Sequence, residues 1–259
     1  MEKTTDAANR FVREYLALAE KSEMTRGDGR FSSPGMVRLF AVIYERLTEG
    51  AKTANLTAIL DPAGAAERHF LDSVIPLPVL ERAGAIRDGS TLVDVGCGAG
   101  FPSLPIAAAA AGGFPRLSVT ALDSTAKKTR HAENAARAAG LDGVAVVTAR
   151  AEEAGSPRGG LRERFDVSTA RAVAALPVLL ELTAPLVRVG GFVTAYKGRD
   201  DETENAAGAA KALGLRLSEK ISYSLPSGDK RTFLIYEKTA STPPKYPRQY
   251  AKITSSPIK

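Results

Sequence analysis

The sequence predicts an α/β fold: an open, largely parallel sheet covered by helices on both faces, with a helical cap ahead of it. Three observations carry this. Thr91–Leu104 reads TLVDVGCGAGFPSL, a short β-branched strand, a turn with glycine at alternate positions, and a helix start. From Thr91 onward, strand-like runs alternate with helical segments, as in sheets built from strand–helix–strand units. The last two strands are joined by Pro226-Ser227-Gly228-Asp229, a turn-forming sequence that closes the sheet with an antiparallel pair.

Taken in order, residues 5–22 predict an amphipathic helix with Phe11, Tyr15, Leu18 and Ala19 on one face. Ser33-Pro34 is an N-cap followed by proline at the first helical position, and Met36, Phe40, Ile43, Tyr44 and Leu47 keep helical spacing until Gly50. Asp61-Pro62 is a second such start, followed by His69-Phe70-Leu71-Asp72-Ser73 and a helix containing Pro76 and Pro78. Residues 1–85 therefore make the helical cap. Strands follow at Thr91–Val95, Leu117–Leu122, Val144–Thr148 and Phe165–Thr169, and from Gly190-Gly191 to Tyr196. Helices are expected over Pro102–Ala111, from Ser124-Thr125 to Gly140, after Ala172 to about Arg188, and over roughly 200–213. The closing strands are 215–225 and 231–238, completing a core of 86–238.

Residues 239–259 form a basic tail: Lys245, Arg248, Lys252 and Lys259 occur with no acid among them. Two readings of it stand level, a solvated end or an arm on RNA phosphates with Tyr246 or Tyr250 available for stacking. Thirty-five basic against 29 acidic side chains give a net charge of +6, which favours an anionic partner. The single cysteine, Cys97, excludes an internal disulfide and fits a reducing, cytoplasmic setting; inside the turn it reads as a packing residue. No apolar run approaches a membrane span, Met1–Arg10 is too polar for a secretory signal, and no His/Cys cluster has metal spacing. No partner membrane or metal is expected, and the chain is expected to be a monomer.

The glycine turn sets the chemistry. Glycine takes positive φ cheaply and lets backbone N–H groups approach a bound molecule. A dinucleotide fingerprint requires G-x-G-x-x-G. Here Gly96, Gly98 and Gly100 alternate, with Asp94 two residues ahead, which resembles motif I of the class I S-adenosylmethionine (SAM) methyltransferases and their Rossmann-like seven-stranded sheet. A glycine-rich β-turn in an unrelated α/β protein is the plainer alternative. Ligands of open sheets bind beyond the carboxyl ends of the strands, which singles out Gly96–Phe101, Asp123-Ser124-Thr125, Ala151-Glu152 and Arg171. Asp123 is placed either to bind ribose hydroxyls or to cap the following helix, the ribose role being preferred. His69 and Asp72 read as an acid–base pair or, more plainly, as a helix-surface histidine and an N-capping aspartate.

Asn55-Leu56-Thr57-Ala58-Ile59, Arg68-His69-Phe70-Leu71-Asp72-Ser73 and Asp94–Pro102 come in an ordered series. It continues with Asp123–Lys128, Arg150–Glu153, Ala170-Arg171-Ala172, Lys197-Gly198 and Tyr246-Pro247-Arg248. From about residue 36 the chain resembles the bacterial small-subunit rRNA guanine-N7 methyltransferases, the RsmG or GidB family. The resemblance implies a SAM-dependent enzyme methylating N7 of guanine 527 in the 530 loop of 16S rRNA, free or within the small ribosomal subunit. It implies SAM contacts at Gly96, Phe101, Asp123, Ser124, Thr125, Ala151, Glu152 and Arg171, to which the turn adds Gly98. Two residues depart from the family pattern: Ser103 replaces the usual glycine, and His131, read as a helix-surface side chain, replaces a usually apolar one.

No catalytic side chain is assigned. Guanine N7 offers an in-plane lone pair and carries no proton, so methyl transfer needs donor and acceptor held in line rather than a base. Consistently, the Asn/Asp-Pro-Pro-aromatic motif of amino-methylating enzymes is absent after the fourth strand, as is the cysteine motif of pyrimidine-C5 enzymes. Lys197, Arg231 and Arg248 are the candidate RNA contacts. The rival classes are a non-catalytic RNA-binding ribosome-assembly protein and a nicotinamide-dependent oxidoreductase, whose third glycine would have to come one residue later.

Overall fold

Strand β1, Thr91–Val95, is buried on both faces, and its side chains divide with period two between two cores: Leu92 joins one, Val93 and Val95 the other. The structure, a computed structural model, describes residues 5–52, 55–198 and 202–259. Around β1 the sheet runs in the order β3-β2-β1-β4-β5-β7-β6. The parallel strands are β2 (Ser118–Asp123), β3 (Val144–Thr148), β4 (Phe165–Arg171) and β5 (Val187–Lys197). Antiparallel β7 (Lys230–Lys238) inserts between β5 and β6 (Leu215–Ser224). Phe233 and Ile235 of β7 face the first core, Leu234 and Tyr236 the second.

Helix α1 (Asp6–Lys21) is capped by Thr5, whose side chain accepts from the Ala8 N–H, and it buries Ala8, Phe11, Tyr15 and Ala19. Helix α2 (Pro34–Ala51) lies on α6 (Ser103–Ala108) and α7 (Ala126–Ala138). Between α2 and β1 come α3 (Pro62–Ala65), an irregular wide turn over Ala66–Leu71, α4 (Asp72–Val74) and α5 (Leu77–Arg82). Phe11, Phe40, Tyr44 and Phe70 form an aromatic cluster with ring centroids 4.5–5.1 Å apart, and Phe70 extends it to Phe101 at 5.2 Å. One apolar core thus runs from the N-terminal helices across residue 85 to the glycine turn.

The remaining helices are α8 (Ala151–Ala154), α9 (Leu176–Thr183), α10 (Ala207–Ala212) and α11 (Tyr250–Ser255). The helix expected to reach Arg188 ends earlier: after Thr183 the chain tightens over Ala184–Leu186, and β5 begins at Val187. The strand expected to open at Gly190-Gly191 begins three residues earlier, at Val187, which pairs with Phe165 ahead of a register shift. Of the helix expected over 200–213, only Ala207–Ala212 forms; its expected start at 200 and 201 lies outside the described residues. After Gly100 the helix starts at Ser103 and tightens at Ala109–Gly112.

The C-terminal segment is anchored to the core at a few buried points, while most of its side chains stay exposed. Lys238, fully buried, donates through Nζ to the Ala184 and Val187 carbonyls at 2.6 and 3.1 Å and to Thr242 Oγ1 at 2.7 Å. Burial lowers its pKa to about 8. The Arg162 guanidinium donates to the carbonyls of Gly155, Thr242 and Tyr246. Arg248 makes a paired contact with the fully buried Glu181 carboxylate, at 2.9 Å through Nε and 2.6 Å through Nη2. Ile253 of α11 is buried beside Val178 and Leu182.

Candidate active site

The turn after β1 is held from below by backbone. Gly96 and Cys97 N–H groups both donate to the Leu122 carbonyl, at 2.7 and 3.1 Å, and Gly100 and Phe101 donate to the Cys97 carbonyl at 2.8 and 2.9 Å. All three glycines have positive φ: +75°, +55° and +99°. Their surroundings differ. A Cβ on Gly96 would stand 2.7 Å from Val173 and one on Gly100 2.5 Å from Leu104, whereas one on Gly98 meets nothing within 4 Å. Gly98 therefore borders open space. Cys97 is buried inside the turn, and burial raises its thiol pKa, as suits a packing residue.

Asp123, at the carboxyl end of β2, uses both oxygens on backbone: Oδ2 accepts from Gly98 N–H at 3.0 Å and Oδ1 from Thr125 N–H at 2.8 Å. It thus ties the turn to the residue before α7, and it is not the helix N-cap, a position that Thr125 takes. Asp94 lies beneath the turn with no exposure; Oδ2 accepts from Ser103 N–H at 3.0 Å, while Oδ1 is buried with no protein partner. Burial raises its pKa to about 6. Ser103 therefore fills a packed position and supplies a backbone donor.

Two cavities meet at Gly96 and Ala172. One, of about 380 Å³, is bordered by Asp123, Ser124, Thr125, Ala151 and Glu152, all expected from sequence, together with Arg150 and Tyr250. The other, of about 480 Å³, holds Gly98, Phe101, Arg171, Lys197 and Arg231 together with Thr57, His69, Asp72 and Tyr196. The structure thus assigns Arg171 to the second cavity rather than to the Asp123 side. Arg248, the third expected RNA contact, borders neither; its charge is spent on Glu181.

The second cavity is framed by a buried charge network. Asp72 accepts from Tyr223 Oη at 3.0 Å and from Arg171 and Arg231, each at 3.4 Å. It is neither an N-cap nor paired with His69. His69 is not a surface residue either: its ring stacks on Phe101 at 4.9 Å, and Nε2 lies 3.0 Å from Thr57 Oγ1 and 3.2 Å from the Ile59 carbonyl oxygen. A carbonyl only accepts, so this places the ring proton on Nε2. Burial first, then the Arg171 charge, lowers the His69 pKa to about 4, so the ring is neutral near pH 7. Lys197 donates to the Ala174 carbonyl at 3.3 Å and pairs with Glu202 at 3.1 Å. His131 is half-buried beside Gly50 of α2, contrary to its expected surface position.

Sequence reasoning missed Tyr196 and Tyr223, and it offered Tyr250 for stacking on RNA, whereas the ring borders the Asp123 cavity. Tyr223 lies 151 positions from its partner Asp72, and no local pattern couples them. For Tyr196, its place at the carboxyl end of β5 was a usable signal.

These features suit the SAM implied by the turn. Gly98 opens onto space that any side chain would fill, the buried Asp94 Oδ1 has no protein partner, and polar groups at the ends of β2 and β3 border an elongated double cavity. Among the described residues no cluster of acids, histidines and cysteines could hold a metal ion.

Comparison with known proteins agrees with this geometry. A family described as rRNA small subunit methyltransferase G (GidB) matches residues 37–232. The chain is 41% identical to ribosomal RNA small subunit methyltransferase G of Lactobacillus johnsonii, over 85% of this chain and 90% of that one. It is 40% identical to the protein of the same name from Leuconostoc citreum, over 86% and 91%. Among solved structures, a methyltransferase from Galdieria sulphuraria aligns with a TM-score of 0.54 and 11% identity, covering 76% of this chain and 98% of that one, which shows the shared fold alone. The match over most of the chain sets aside the nicotinamide reading, and the protein belongs to the rRNA small subunit methyltransferase G family.

Proposed function

We propose that this protein transfers a methyl group from SAM to N7 of guanine 527 in 16S rRNA, acting as a cytoplasmic monomer on the small ribosomal subunit or its RNA. The observation that carries the reading is the pair of cavities joined at Gly96, within a chain of an rRNA methyltransferase family. Gly98, Asp123, Ser124, Thr125, Ala151 and Glu152 would hold the cofactor, which supplies a sulfonium-bound methyl. The acceptor guanine would enter the second cavity, against the neutral His69–Phe101 stack. Arg171 and Arg231, oriented by Asp72, present cations that would meet RNA phosphate or the guanine O6 and leave the N7 lone pair free for the methyl group. No helix among the described residues is long and apolar enough to cross a membrane.

Labelled methyl should pass from SAM to 16S rRNA, and the product should be cut by aniline after borohydride reduction, because N7 methylation leaves a cationic, ring-opening guanine. Methylated RNA that resists this cleavage would rule out N7. The single-turnover rate should stay flat between about pH 7 and 8.5, since the acceptor has no proton to lose and His69 is already neutral. SAM affinity should fall as pH drops through about 6, where Asp94 gains a proton and no longer attracts a cation. A log-linear rise in rate across neutrality would instead indicate a protonated acceptor.

RNA affinity should depend on salt through the cations at the second cavity. Lys197→Gln should lower the slope of log K against log salt by about 1. If the slope is unchanged, Lys197 serves only its ion pair with Glu202.

A further inference from the structure

The cavity around Asp123 has a single aromatic ring among the described residues that border it, and that ring comes from the far end of the chain. Tyr250 opens α11 at the cavity mouth, is 39% exposed, and carries the Arg150 guanidinium 4.7 Å from its ring centroid. Arg150 also pairs with Glu152, so ring, guanidinium and carboxylate form a continuous rim.

The ring is not on a loose tail. Two residues before it, Arg248 is locked to the buried Glu181; three residues after it, Ile253 is buried against α9. Anchors on both sides hold Tyr250 at the rim, with Arg150 over one face of its ring and the residue still partly exposed. The cavity's other walls include aliphatic Leu122, Ala149, Ala151, Val173 and Leu182. An exposed aromatic face at a slot of aliphatic walls and ribose-type acceptors is chemically matched to a purine, since every base offers a π face for stacking.

We infer that Tyr250 is a cofactor-positioning residue: its ring and the Arg150 guanidinium form the outer wall of the adenosine site and act on the adenine moiety of SAM. This deepens the proposed function and rests on it. It also gives the packing of residues 239–259 a purpose, since the clasp through Glu181 fixes the geometry of the wall.

The test is calorimetric titration of the full-length protein with SAM, S-adenosylhomocysteine and 5′-methylthioadenosine, alongside 16S rRNA binding and thermal melting. Tyr250→Ala should weaken all three adenosine ligands about tenfold, the loss of one stacking partner. Tyr250→Phe should retain wild-type affinity, because the ring face and not the hydroxyl is used. rRNA affinity should be unchanged, and both variants should melt within a few degrees of wild type. Unchanged SAM affinity with weakened rRNA binding would assign the ring to RNA and overturn the inference. Unchanged affinity for both ligands would reduce it to packing and overturn it equally. Wild-type protein that fails to bind SAM would refute the proposed function itself, an outcome separate from either.

Discussion

Gly98→Val is expected to abolish SAM binding, lowering affinity by more than about 100-fold, while the chain still folds. A side chain at this position meets no protein atom within 4 Å, so it projects into the open space bordered by the turn, where the cofactor would lie. Its cost to the apo protein is backbone strain: a β-branched residue at φ +55° is disfavoured by about 1–3 kcal/mol, or several degrees of melting temperature. Gly100→Val behaves differently, because its Cβ would lie 2.5 Å from Leu104 inside the core in addition to the strained φ of +99°. It should lose stability first and binding as a consequence. Calorimetry and thermal melting on both variants separate the two cases. SAM affinity near wild type in a folded Gly98→Val protein would place the cofactor elsewhere.

Arg248→Ala is expected to be the most destabilising single change in the C-terminal segment. Glu181 has no exposure, and Arg248 answers it through both the guanidinium and its own backbone N–H at 2.9 Å. Removing the guanidinium leaves a buried carboxylate largely unpaired, which costs about 3–5 kcal/mol and roughly 10 °C in melting temperature for a chain of this size. A double variant, Glu181→Leu with Arg248→Met, should recover most of the loss, because replacing both members of a buried pair is close to neutral. Unchanged melting of Arg248→Ala together with weaker rRNA binding would return Arg248 to the role first expected from its charge.

The sequence was informative wherever a signal is local. The G-x-G-x-G spacing, the Ser33-Pro34 and Asp61-Pro62 starts and the Pro226–Asp229 turn each dictate backbone conformation within a few residues, and the structure places a turn or helix at each. The continuous apolar, β-branched run at Thr91–Val95, buried on both faces, is equally local, so the strand could be read without knowing its neighbours. Residues at the carboxyl ends of strands could be nominated for the site because parallel topology brings those ends together.

What the sequence by itself determined is therefore the α/β class, most element positions, the glycine turn and the nomination of Asp123 to Glu152, which the structure gathers around one cavity. The tertiary structure alone decided the partners of the charges. Asp72 gathers Tyr223, Arg171 and Arg231 from three strands, and Arg248 pairs with Glu181, 67 positions away. Composition counts charges without saying which are already paired, and a basic tail looks solvated until the buried carboxylate beneath it is located. The same reason explains His69. Its neutrality follows from burial and a neighbouring guanidinium, and both are properties of packing that no spacing along the chain records.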